Sequence, residues 1–305
     1  MRISTSTIYD MGVAGMQQAT SDMVKTQQQI AANRRILTPS DDPVASARVL
    51  EVTQSKSINL QYDTNIGSAS NSLSMEDTIL TSVTDLITAV RTDAITAENS
   101  SLSDQARAGI ATGLSGRYQE LLGLANSTDG NGQYLFSGYK NDLNVKPFTG
   151  SPPGLVTYNG DQGQRLVQVS PSRQMAVSDS GADVFRPGSG SPKGDIFKTL
   201  GDIIAKLSSG PPSTPTIPTD IQNLDQALQN VLSVQASVGT RMQELDSIKS
   251  AGADLQLQYT QTISNLQDLD VTKAATDLAR QKAALEAAQL SFTKVQGLSL
   301  FNFIT

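Results

Sequence analysis

Few side chains in this 305-residue sequence can do chemistry, and their types limit what that chemistry could be. There is no cysteine, no histidine and no tryptophan, which removes thiol and imidazole nucleophiles, a histidine general base and the usual zinc ligand set. Carboxylates and Ser/Lys pairs remain. The adjacent acids Asp41 and Asp42, in TPSDDPVASA, could hold a cation or share a proton. Asp42 directly precedes Pro43, and an aspartate followed by proline at the head of an apolar-periodic run reads as a helix N-cap and first helical position. Capping and turn formation are therefore the expected roles of both acids. The stretch GNGQYLFSG from Gly130 has the glycines of a phosphate loop but lacks its GK[ST] ending, so a turn leading into a strand is expected. Carboxylates between residues 130 and 195 leave a surface hydrolase or adhesin as a formal option. The expectation is a protein that is not an enzyme, with no catalytic residue, no cofactor and no metal site.

What the chain does carry in a regular pattern is apolar spacing. In its last stretch, Val271, Leu278, Leu285 and Phe292 lie seven apart, with Ala274, Ala288 and Val295 at the second position of the repeat, and LSLFNFIT follows. Between Thr5 and Leu37 the same spacing recurs at Tyr9, Met16, Met23, Ile30 and Leu37, with Val13 and Ala19 beside it. Each is the seam of a coiled coil. The candidate assembly interface is Met16, Met23, Ile30, Leu37, Val271, Leu278, Leu285, Phe292, Val295, Leu298, Phe301 and Phe303. One narrow stripe per long helix is marginal against the cost of ordering the backbone. Two readings stay open: the ends are ordered mainly when other copies add contacts, or they close an intramolecular coiled coil.

Between the ends, proline divides the chain. Pro39 and Pro43 stop one helix and start the next, and the other ten prolines fall between Pro147 and Pro218. Helical spacing runs from Val44 to about Glu98, with Ile66, Leu73, Leu80 and Ile87 seven apart. Ser103 or Asp104 caps another helix that ends at STDGNG, making an antiparallel hairpin. Short β-branched runs at residues 155–158, 165–169 and 175–177 surround Asn159-Gly160, a hairpin signal between the first two. Helices resume at Asp195 and, capped by Thr219 or Asp220, from there to Leu266; residues 265–270 read as a hinge. The expected fold is mainly α, a nested rod of long helices. Its terminal coiled-coil domain is residues 1–42 and 268–305, its helical shaft 43–131 and 195–267, and its small inserted β domain 132–194.

The formal charge of −6 is unevenly placed: the first fifty residues carry +1 and the last thirty-five +2, which leaves −9 between them. That balance argues against nucleic-acid or anionic-membrane partners. No apolar run is long enough to span a membrane, and the opening MRISTSTIYDMG has no apolar core of a secretory signal.

Several stretches together resemble the bacterial flagellin family: RRILTPSDDPVASARVLEV at 34–52, GQYLFSGYK at 132–140, YNGDQGQRLVQV at 158–169, DSGADVF at 179–185, VGTRMQELD at 238–246 and the terminal LSLFNFIT. Within that family the resemblance is to the hook-filament junction proteins. Flagellins themselves typically carry an alanine-rich AADD-type version of the segment PSDDPVA. The resemblance implies a secreted component of the extracellular flagellum, exported unfolded by the flagellar type III apparatus after transient cytoplasmic residence. It implies a cytoplasmic export chaperone on the C-terminal helix. It also implies a ring of copies between the first hook-filament junction protein and the flagellin filament. The alternatives are a flagellin and a cytosolic coiled-coil scaffold, the latter disfavoured by the β insertion.

Overall fold

A computed structural model describes residues 5–99, 101–140, 145–185, 194–209 and 217–297. Seven helices carry most of these: α1 (Thr5–Ala32), α2 (Pro43–Ala97), α3 (Asp104–Ala125), α4 (Gly181–Phe185), α5 (Ile196–Ser208), α6 (Ile217–Gln267) and α7 (Val271–Gly297). The four strands, β1 (Phe148–Thr149), β2 (Thr157–Tyr158), β3 (Leu166–Ser170) and β4 (Arg173–Ala176), form two separate antiparallel pairs, β1 with β2 and β3 with β4. The chain is thus mainly α with a small two-sheet region. It groups into two compact units: residues 1–58 with 254–305, and residues 59–253. Each of α2 and α6 runs through both.

The larger unit holds the main core. Ile66, Leu73, Leu80 and Ile87 of α2 are 0–3% exposed, as the seven-residue spacing requires, and on α6 the series Leu224, Val231, Val238 and Leu245 is 0–1% exposed. Helix α3 adds Leu114, Tyr118 and Leu121, and α5 adds Phe197, Leu200 and Ile203. The opposite faces of the long helices are rich in Ser and Thr, which are weak helix formers because their hydroxyls compete for backbone groups. Here many of those hydroxyls bond back to the carbonyl four residues earlier, as at Thr64, Ser68, Ser72, Thr78, Thr88 and Thr92, so the competition is settled inside the helix. Caps fall where the sequence places them at Ser103, whose side chain accepts from the Ala106 N–H, and at Asp195, which accepts from the Lys198 N–H.

The strand region departs from expectation. Asn159-Gly160 does not join paired strands: Tyr158 pairs back with Phe148, and Leu166 pairs forward with Ala176 across the turn at Pro171-Ser172. The Asn159 side chain instead bonds the Lys146 carbonyl and the Thr149 hydroxyl, which fixes it beside β1. GNGQYLFSG does form a turn, with Asp129 Oδ1 accepting from the Asn131 and Gln133 N–H groups, but only a single bridge at Tyr134 follows rather than a strand. Helix α6 also starts before its expected cap. Asp220 lies in its first turn, 4% exposed, and accepts from Lys206 at 2.5 Å. The strand region shares its core with the helices. Phe148 packs against Tyr158, Phe185 and Phe197, and Phe197 in turn against Tyr118.

A buried polar cluster locks this region to the long helices of the same unit. Arg241 of α6 is ion-paired to Asp179 and donates to the Ala176 carbonyl at 3.1 Å. Glu76 of α2, 2% exposed, accepts from the Asp179 N–H at 3.1 Å. Burial pushes the Glu76 carboxyl up to about 8, helped by the neighbouring Asp179 carboxylate and opposed by Arg241.

Two outcomes are expected. Arg241→Met leaves Asp179 as a buried unpaired charge and should lower unfolding free energy by about 3–5 kcal/mol, measured by denaturant titration; a loss within the range of ordinary surface changes would contradict the lock. The folded chain keeps the Glu76 proton up to about pH 8, whereas an ordinary glutamate releases it near 4.5. The stability this proton supports is therefore complete below the unfolded value and lost as pH rises through the folded one. Glu76→Gln, which stays neutral, should flatten the fall in melting temperature over that window, and an unchanged pH profile would sink this account.

Candidate assembly interface

The smaller unit is built on α1 and α7, which pack against each other antiparallel. One end of the pair is marked by Tyr9 on Phe292, ring centroids 5.2 Å apart. The other is marked by an antiparallel bridge between Arg34 and Asp268. At about 1.5 Å per residue the two helices are each roughly 40 Å long. Helix α7 starts at an N-cap, Asp270, whose carboxylate accepts from the Lys273 N–H at 3.0 Å. Helix α1 ends earlier than Thr38-Pro39 would force: Asn33 adopts a left-handed backbone (φ 52°), a conformation asparagine tolerates better than most residues.

This early stop moves Leu37 off the helical seam. It lies in the loop between α1 and α2, half-buried, with its N–H donating to Asp41 Oδ2. Met16, Met23 and Ile30 stand on α1, and Leu278, Leu285 and Phe292 on α7, all half-buried. Val271 is on the first turn of α7 and 48% exposed. The side chain of Val295, and residues Leu298, Phe301 and Phe303, lie outside the described residues.

The degree of burial is the informative quantity. The heptad series of α2 and α6 in the larger unit are almost fully sealed, whereas no large side chain of the seam pair reaches that state among the described residues. Tyr9 remains 49% exposed despite its contact with Phe292, and Leu290 is 60% exposed. One partner helix covers one side of a stripe and leaves its flanks in water. A residue the spacing pattern does not mark is Gly12: a Cβ there would come within 2.9 Å of the Phe292 ring. The lack of a side chain at this point of α1 is what admits the ring, and only the partner helix reveals it.

The paired acids turn out to organise the loop. Asp42 Oδ1 accepts from the Ala45 N–H at 3.0 Å and caps α2, and its other oxygen meets Arg35 at 3.2 Å. The Ala45 N–H, then Arg35, holds the Asp42 carboxyl below its ordinary value. Asp41 accepts from the Leu37 and Thr38 N–H groups and from Lys25 of α1 at 2.7 Å, and Lys25 first, then those N–H groups, holds it well below the carboxylate range. Arg35 continues the tie: its N–H and guanidinium donate to the Gln267 and Leu266 carbonyls, both at 2.8 Å, and its own carbonyl accepts from Gln29 at 2.6 Å. The loop is thus stitched to the α6–α7 junction within this unit.

Carboxylates of the strand region are likewise occupied in holding backbone. Asp161 accepts from the Tyr139 and Gly163 N–H groups, both at 2.8 Å, which lowers its pKa, and its carbonyl accepts from the Tyr158 hydroxyl. Gly138, at φ 72°, is needed there, because a Cβ would fall 2.1 Å from Asp161 Oδ1. Among the described residues no group of three potential ligands could hold a metal ion, and no helix is long and apolar enough to cross a membrane.

Comparison with known proteins agrees with this architecture. The family description "Bacterial flagellin N-terminal helical region" matches residues 3–141. Flagellar hook-associated protein 3 of Salmonella typhimurium is 33% identical over 320 residues, covering 99% of each chain, and that of Escherichia coli is 33% identical over 319 residues with the same coverage. Among solved structures, a putative flagellar hook-associated protein from Vibrio parahaemolyticus superposes with a TM-score of 0.67 at 25% identity, over 75% of this chain and all of that one. A flagellar junction protein from Legionella pneumophila shares the fold, with a TM-score of 0.57 at 21% identity over 72% of this chain and all of that one. With full-length identity at this level, the chain belongs to the flagellar hook-associated protein 3 family.

Proposed function

We propose that the chain is a structural subunit of the bacterial flagellum that forms the junction between hook and filament, assembled through its terminal helices. Family membership supports the structural flagellar role. The observation that supports assembly through the termini is the seam of α1 and α7: a regular apolar stripe that stays half-exposed in one copy. In this reading Met16, Met23, Ile30, Leu278, Leu285 and Phe292 pack copy on copy, and Leu37, Val271, Val295, Leu298, Phe301 and Phe303 extend the same interface. Neighbouring copies supply the flanking cover that a second helix alone does not give.

The finer parts of the proposal follow from family likeness and chemistry. The copies form a ring, with the first hook-filament junction protein below and flagellin above. A junction must present two different faces, so head-to-tail contacts suit it better than a self-complementary dimer. The terminal segments 1–42 and 268–305 serve axial assembly, 43–131 with 195–267 a helical shaft, and 132–194 the outer region. Export proceeds without a cleaved signal, with a cytoplasmic chaperone covering the C-terminal helix. A chain without cysteine suits passage as an uncrosslinked polypeptide.

Replacing Leu285 or Phe292 with Asp should abolish concentration-dependent association in sedimentation velocity, while the melt of the larger unit followed by circular dichroism stays within about 0.5 kcal/mol of the parent. Undiminished association, or collapse of that melt, would contradict the assignment. Gly12→Leu, which drives a side chain into the Phe292 ring, should weaken association in the same direction; equal or tighter association would argue that α1 and α7 do not meet as described.

A further inference from the structure

Beside the loop at the Ala32 end of α1 lies an open groove of about 320 Å³, lined mainly by the apolar Ile36, Leu37, Pro39, Val49 and Leu50, with Thr38, Ser46, Thr53 and Gln267 as its uncharged polar lining. Its lining contains no charged side chain. Ile36 forms the floor at 7% exposure, while Leu50 stands at the rim, 71% exposed. The walls are fixed rather than improvised, because the Asp41, Asp42 and Arg35 bonds hold the loop against the first turns of α2 and the end of α6. A preformed apolar groove with one large aliphatic side chain left in water is suited to receiving apolar side chains.

The sequence contains one segment with matching chemistry. Residues 298–305, LSLFNFIT, hold Leu298, Leu300, Phe301, Phe303 and Ile304 and no charged side chain. This segment follows Gly297, at the end of α7 next to Tyr9 and Phe292. The groove sits at the other end of α7, beside Gln267. Helix α7 spans 27 residues, about 40 Å. Ile304 is seven residues beyond Gly297, a reach of about 25 Å even fully extended. A chain's own tail therefore cannot enter its own groove.

We infer that the groove formed by Ile36, Leu37, Pro39, Val49 and Leu50 receives the LSLFNFIT segment of a second copy of this chain. Donor segment and acceptor groove lie at opposite ends of the α1–α7 pair, so the contact is head-to-tail and each copy gives at one end and receives at the other. The inference rests on the reading of the chain as an assembly subunit and deepens it, by naming a donor and an acceptor. It also gives an account of why Leu50 is left in water on an otherwise ordinary amphipathic turn.

The absence of native cysteine allows a direct test with the full-length chain. Two single variants, Leu50→Cys and Phe303→Cys, are mixed at a concentration where light scattering shows association, and oxidised briefly. The control pairs Phe303→Cys with Leu257→Cys, an equally exposed position (71%) on α6. Several-fold more mixed disulfide dimer with Leu50→Cys than with the control is expected, and free LSLFNFIT peptide in excess should suppress it. Association without that preference would overturn the groove assignment while leaving the assembly reading intact. A preference for a disulfide between two copies of the Leu50→Cys variant, oxidised alone, would overturn it in favour of a symmetric contact. No association at any accessible concentration would overturn both the assembly reading and this inference.

Discussion

A single stripe of apolar side chains on each of two antiparallel helices can be covered from one side only by the other helix. This constraint governs the smaller unit. Tyr9 packs on Phe292, and none of Tyr9, Met16, Met23 and Ile30 on α1 or Leu278, Leu285 and Phe292 on α7 leaves water altogether. In the larger unit the same seven-residue repeat occurs on α2 and α6, but α3, α5 and the strand region add further layers, and Leu73, Leu80, Val231 and Val238 become inaccessible. The difference between the two units lies in how many neighbours a repeat has, not in the repeat itself. In the proposed assembly role, that difference separates a part that is complete in one chain from a part that gains by meeting another copy.

Polar groups keep the two kinds of packing apart. In the larger unit Arg241, Asp179 and Glu76 tie the strand region to the long helices from within the core. In the smaller unit the ties are at the surface: Lys25 to Asp41, Arg35 to Asp42, and Arg35 to the Leu266 and Gln267 carbonyls. Surface ion pairs contribute little energy each, yet several on one short loop define its path. They orient α2 relative to the end of α1 within this unit and hold the walls of the groove beside Ile36.

The long helices were legible in the sequence because apolar spacing, caps and breakers agreed: Asp42 before Pro43, Ser103, Asp195 and Asp270 each sit where a helix begins. The strand pairing was not, since Asn159-Gly160 carries the chemistry of a hairpin turn while its side chain is taken up by Lys146 and Thr149. Local signals cannot report a distant competitor of that kind. The spacing places Leu37 on the helical seam, but the left-handed Asn33 ends α1 at Ala32, five residues sooner. The groove left no trace in the periodicity at all, as its walls come from a loop, two turns of α2 and the last residue of α6. The buried cluster around Asp179 left only a partial signal: Glu76 and Arg241 each lie three residues after a core position, Leu73 and Val238, on the face where Ala69, Val83 and Ala227 are buried, but the Asp179 that joins them comes from the strand region, which helical spacing cannot place.

The claim that everything else hangs on is that the α1–α7 seam is incomplete in one copy and completed by others. Hydrogen exchange followed by mass spectrometry, on the full chain when dilute and again when associated, addresses it most directly. The account predicts that in the dilute chain the amides of α1 and α7 exchange far faster than those of α3 and the Leu73–Ile87 stretch of α2, and that association slows α1 and α7 selectively. Protection of α1 and α7 equal to that of the larger unit's core in the dilute chain, unchanged on association, would show the seam to be already satisfied within one molecule and would contradict the account.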